Sequence, residues 1–312
     1  MKKAILFLML LAAGHYVSFA CLNEEGEEEM MMQQIKKDRA IPYGHDFAAD
    51  KKLNEKKLER LLASWNKTHN YEAYNNYGVT LVYLGRFEEA LKVFRQIEKE
   101  QPGKYSTAAN MGTTYEVLGK NDSALYWIKR GVALNPASHD SSEWLHVKIL
   151  EAKINGTSSF TSSYFTGVDF GTDILPKTKL NKDELSKLCD ALYYQLNERV
   201  SFIKPKDAIV AQMLYELGNI TAITHDAHTA YENYNMAFKY GYTGGLPAQR
   251  MARMKQAVDS GEVDLYAPAD TASVVVTEPV QPQKAKHYTG IFVLVASAVG
   301  LLMLMVYTRR RK

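Results

Sequence analysis

The stretch YEAYNNYGVTLVYLGRFEEALKVFRQIEKEQP (Tyr71–Pro102) is followed, after Gly103 and Lys104, by YSTAANMGTTYEVLGKNDSALYWIKRGVALNP (Tyr105–Pro136). Laid over one another, the two carry one pattern at an offset of 34 residues: Gly78 answers Gly112, Gly85 answers Gly119, Ala90 answers Ala124, Leu91 answers Leu125 and Pro102 answers Pro136. A fixed period in this range marks a protein built from stacked repeats. Each recurring residue has a mechanical task. Gly78 and Gly112 fall mid-helix, where glycine costs about 1 kcal/mol against alanine, so close approach of a neighbouring helix is the expected compensation. Ala90 and Ala124 keep the second helix slim at the same contact. Gly85 and Gly119 suit the turn between the two helices, and Pro102 and Pro136 stop the second one. Apolar residues at helical spacing fill the intervals: Tyr77, Leu81 and Leu84, then Phe87, Leu91, Phe94 and Ile97. Each unit therefore reads as a helical hairpin that cannot bury its apolar face alone.

In period and in pattern this stretch resembles the tetratricopeptide repeat. The resemblance covers residues 71–138 and, in part, 211–244. It implies an all-α chain in which αα-hairpins stack into a right-handed superhelix, a solenoid that binds a protein or peptide partner in its concave groove. It carries no catalytic residues and no cofactor. It also implies that the first helix of each hairpin lines the groove. Asn76 and Asn110 hold equivalent positions there, with Tyr83 and Thr113 on nearby turns. A side-chain amide donates and accepts together, which suits a peptide backbone. These four are the expected partner-binding residues.

Outward from the repeats, residues 51–66 read as a helix with Leu58, Leu61, Leu62 and Trp65 on its apolar face, a cap for the exposed end of the solenoid. The repeats themselves are 71–104 and 105–138. The next register would put glycines at His146 and Lys153, and neither is one. We therefore read 139–210 as one expanded hairpin. Its first helix is expected over 141–152, capped by Ser141 or Ser142, and its second over 182–203. The turn between them becomes a loop, 155–180, that is too apolar to hang free. Register returns over 211–244 with Gly218, although His225 stands in place of the turn glycine. A last helix over 247–259 closes a helical domain spanning 51–262.

Both ends of the chain read as membrane-directed. Residues 1–20 have the form of a signal peptide: Lys2 and Lys3, a short apolar run, then Ser18-Phe19-Ala20. Cys21 would then be the first mature residue and is a candidate for lipidation. Residues 21–50, with an acidic cluster at Glu24, Glu25, Glu27, Glu28 and Glu29, read as a linker. Residues 263–287 contain Pro268, Pro279 and Pro282 and read as a tether. Tyr288 to Tyr307 is uncharged and long enough to cross about 30 Å of hydrocarbon as one transmembrane helix. Residues 308–312 form a basic tail expected on the cytoplasmic side. The expected location is thus the bacterial inner membrane, single-pass, with the body in the periplasm. A rival reading is an envelope lipoprotein or surface-sorted protein whose C-terminal segment is a processed sorting tail.

The net charge of +3 gives no electrostatic case for nucleic acid. Two cysteines are too few for a disulfide framework. His225, Asp226 and His228 lie close in sequence but lack further ligands for a metal, so no metal site is expected. No phosphate loop and no nucleophile elbow is present. The chain reads as a binding scaffold and not as an enzyme.

Overall fold

The computed structural model describes residues 40–44, 50–156 and 162–266. Among these residues there are helices and no strands. The helices are α1 (Lys51–Thr68), α2 (Tyr71–Tyr83), α3 (Phe87–Glu100), α4 (Tyr105–Val117), α5 (Asn121–Leu134), the short α6 (Ser138–Ser141), α7 (Glu143–Asn155), the short α8 (Ser162–Thr166), α9 (Lys182–Phe202), α10 (Ala208–Thr224), α11 (Ala227–Lys239) and α12 (Gly245–Ser260). The signal peptide, Cys21, residues 267–287 and the span at 288–307 lie outside the described residues. Among the described residues no helix is long and apolar enough to cross a membrane.

Neighbouring helices pack in series, in the manner of hairpins, from α1 to α5, and α7 then packs on α5. A second series runs from α9 to α12. The glycines explain the regular hairpins. A Cβ built on Gly78 would meet the Phe94 ring at 2.5 Å, one on Gly112 would collide with the Ile128 side chain, and one on Gly218 would meet the Tyr234 ring at 2.5 Å. In each case the knob stands sixteen positions after its glycine. A knob from the second helix thus fills the notch left in the first.

Gly85 and Gly119 sit at φ +73° and +71°. Behind Gly85 the chain closes with Gly85 N–H to Val82 O and Arg86 N–H to Leu81 O. Behind Gly119 it closes with Gly119 N–H to Glu116 O and Lys120 N–H to Tyr115 O. This is the left-handed helix stop that glycine adopts without penalty. Asn70, Asn181, Asp207 and Asp226 cap α2, α9, α10 and α11 through their side chains.

The structure departs from the sequence reading in three places. Ser142 precedes α7 but makes no capping bond, because its hydroxyl accepts from the Gln195 amide at 3.0 Å instead. Residues 40–44, inside the expected linker, are packed down: Ala40 and Ile41 are 2% and 3% exposed. The apolar part of the long loop is also folded back, with Phe165 and Phe170 buried. Arg250 secures it by donating to the carbonyl oxygens of Phe170, Gly171 and Asp173. Residues 157–161 of that loop lie outside the described residues. Leu62, expected on the apolar face of α1, is exposed, whereas Leu58 and Trp65 pack against the core.

The apolar interior falls into two clusters. One gathers side chains of α2 to α5, with Leu150 of α7. The other gathers Leu145, Ile149 and Ala152 of α7 with α9 to α12. Helix α7 is shared between them, and α9 touches α7 far less than it touches α10.

Candidate functional site

Ionisable side chains concentrate at that seam. Glu116 is near the end of α4, Glu143 and His146 are in the first turn of α7, Lys153 is two turns on, and Arg199 is on α9. His146 Nε2 lies 2.6 Å from Glu116 Oε2, and Lys153 Nζ donates to Glu116 Oε1 at 2.7 Å. Arg199 Nη2 donates to Glu116 Oε2 at 3.2 Å. On its other side His146 Nδ1 is 3.4 Å from Glu143 Oε2, and His139 Nδ1 is 2.5 Å from Glu143 Oε1. Gln195 completes the set, accepting from Arg199 and donating to Ser142.

Burial pushes the Glu116 carboxyl up, but Arg199, His146 and Lys153 overcome it and hold the group well below the usual carboxylate range. Burial acts likewise on Glu143 and is overcome by His139 and His146, which hold it down. Burial and Arg199 push His146 down, and the flanking Glu116 and Glu143 carboxylates raise it above its ordinary value. Both carboxylates thus favour their ionised form and are already engaged by neighbouring side chains. Their chemistry is to fix charge and geometry, not to supply a free base.

A cavity of about 140 Å³ opens beside this cluster. Its walls are Thr113, Glu116 and Val117 of α4, His146 and Lys153 of α7, and Glu198, Arg199 and Phe202 of α9 with Ile203 beyond it. Val117, Phe202 and Ile203 make part of it apolar. The Thr113 hydroxyl and Arg199 Nε, both buried, have no hydrogen-bond partner among the described residues. The cavity therefore combines an apolar wall with polar groups that a guest could satisfy.

The four expected partner-binding residues separate. Thr113 lines the cavity. Tyr83 is buried in the first core, 6% exposed. Asn110 is fully buried, and its amide donates to Asn75 Oδ1 at 3.1 Å. Asn76 is half-buried, so the two asparagines are not an equivalent exposed pair. A helix-to-helix amide bond has taken Asn110 inward, the usual fate of a buried polar group. His225 hydrogen-bonds Thr224 and Asp226 caps α11. Among the described residues no group of three or more His, Cys, Asp or Glu is placed to hold a metal ion. Cys189 is buried, and burial pushes its thiol up.

The sequence reading missed Glu116, Glu143, Glu198 and Arg199. One signal was available: Glu143 and His146 stand three positions apart, which puts them on one helical face. A comparison with known protein families finds no matching family, and one with curated proteins finds no significant match.

Proposed function

We propose that this chain is a non-enzymatic binding scaffold of tetratricopeptide type, which takes a side chain of a protein or peptide partner into the cavity between α4, α7 and α9. The observation that carries this reading is the cavity itself. Its guest would be an apolar side chain beside a hydrogen-bonding group, because Val117, Phe202 and Ile203 line it together with Thr113 and Arg199, whose hydroxyl and Nε have no partner among the described residues. Ligand sites of this kind are concave, largely apolar and fixed by a few placed polar groups. The repeated glycine-and-knob hairpins support the scaffold part of the reading, since one of them fixes α4, a wall of the cavity, against α5. As part of the same proposal, residues 288–307 anchor the body to the bacterial inner membrane on its periplasmic side.

The test is recovery of partners from cross-linked envelopes on full-length wild-type and Thr113→Phe chains of matched melting temperature. The larger side chain fills the cavity, and proteins held there should fall at least fivefold. Equal recovery on both chains would remove the cavity from the function. Release of the full-length chain by carbonate washing would remove the membrane anchor and leave the binding site standing.

A further inference from the structure

Residues 40–44, Ala-Ile-Pro-Tyr-Gly, carry neither helix nor strand, yet Ala40, Ile41 and Pro42 are buried. They are held by two asparagine side chains from different helices. Asn233 Nδ2 of α11 donates to the Ala40 carbonyl at 3.1 Å. The Gly44 N–H donates to Asn197 Oδ1 of α9 at 2.9 Å. Both asparagines are buried, at 0% and 3% exposure. Asn233 Oδ1 is also buried and has no hydrogen-bond partner among the described residues. Helices α9 and α11 both pack on α10, so the segment bridges the two flanks of one helix.

The fit is selective along the segment. A Cβ on Gly44 would meet Val200 Cγ2 at 2.6 Å, and the residue sits at φ +75°, so only glycine fits without strain. Pro42 has no N–H to satisfy. Tyr43 is 65% exposed and makes no demand on the groove. The scaffold reads a small residue, an aliphatic one, a proline, any residue and a glycine. It does so through amides that bond main chain, the recognition mode expected of Asn76 and Asn110 but built from other residues.

We propose that this face is a peptide-docking groove, occupied here by the chain's own residues 40–44, and that a partner segment of the same small–aliphatic–Pro–any–Gly chemistry binds it when they leave. An irregular segment tied by side-chain amides opens at lower free energy than the helices beneath it. Own-segment docking then acts as an internal competitor, which lowers apparent affinity by the fraction of chains in the open state. Neither Asn197, Val200 nor Asn233 lines the cavity beside Thr113, so neither proposal depends on the other.

The experiment titrates a fluorescein-labelled peptide of residues 38–46 into the full-length chain. Gly44→Val in the chain evicts its own segment without altering the groove. That chain should bind the peptide at least tenfold more tightly than the wild type, and adding Asn197→Ala should cost at least tenfold again. If Gly44→Val loses its helical circular dichroism, Ile41→Asp takes its place in the same titration. Equal binding by the wild type and a folded variant, or binding indifferent to Asn197→Ala, would overturn the groove.

Discussion

The first two hairpins and the seam behind them hold helices together in opposite ways. At Gly78 and Gly112 a missing side chain admits Phe94 or Ile128, and contact is made by shape alone. One period later the same register falls on His146, and the turn-glycine register falls on Lys153. There the space is not left for a knob. It is filled by an imidazole and an ammonium, both bonded to Glu116 of the preceding hairpin. Close packing gives way to buried charge where the period breaks, and there the second series of helices begins. A knob in a notch is local and repeatable. A buried carboxylate needs cations gathered from several helices, here α7 and α9, which ties distant parts of the chain together and ends the repetition.

The sharpest way to break this contrast is Glu116→Ala. It leaves Arg199, with a side chain 5% exposed, and Lys153, 20% exposed, without their shared carboxylate. Removing one partner of a buried pair costs about 3–5 kcal/mol, because the remaining charge is stranded. Urea unfolding followed by circular dichroism should show a loss in that range. A loss below about 1 kcal/mol, the worth of a surface pair, would mean the seam is effectively solvated.

The hairpin side of the comparison yields a paired measurement. Gly112→Leu forces a side chain into the space of Ile128 and should cost about 3 kcal/mol, the upper end of ordinary overpacking. Gly119→Ala meets nothing within 4 Å, but it keeps φ at +71°. The left-handed conformation alone costs an alanine about 1 kcal/mol. Thermal melts of both variants should therefore rank them in that order, and equal losses would argue that Gly112 is not a packing notch.

The two regions also differ in how much the sequence discloses. Gly78, Gly85, Gly112 and Gly119 announce their roles because each recurs at a fixed interval and glycine has few reasons to recur. The late hairpin was visible through Gly218 for the same reason, even with His225 in the turn. The seam was opaque because Glu116, His146 and Arg199 come from three helices, and a charged residue read alone looks like solvated surface. Asn110 illustrates the same limit. Its place in the repeat was legible, but its direction was not, since Asn75 of the preceding hairpin decides it. The docked segment at 40–44 was hidden because its partners, Asn197 and Asn233, stand more than 150 residues away.

The smallest effect concerns pH and separates the two regions most cleanly, because the knobs of the first two hairpins, Phe94 and Ile128, do not titrate. His146 is faced by Glu116 and Arg199 from other helices and by Glu143 and Lys153 on its own. His139 lies beyond Glu143, and Glu198 lines the same cavity. Its pKa in the folded chain is raised above the ordinary 6.5. The stability it contributes is therefore complete below 6.5 and is lost as pH climbs through the folded value. Glu116 and Glu143 are held below their ordinary 4.5, so their contribution is complete above 4.5 and is lost as pH falls through the folded values. Together they set greatest stability between about 4.5 and 6.5, with a decline on the alkaline side that belongs to His146. In His146→Gln the amide can still meet Glu116 but carries no titrating proton, so the alkaline decline should flatten. The acid decline should persist through Glu116 and Glu143. Unfolding midpoints from pH 2 to 9 on both chains read this directly. An unchanged alkaline slope in the variant would place the titration at another histidine and leave the seam a fixed ionic joint at all these pH values.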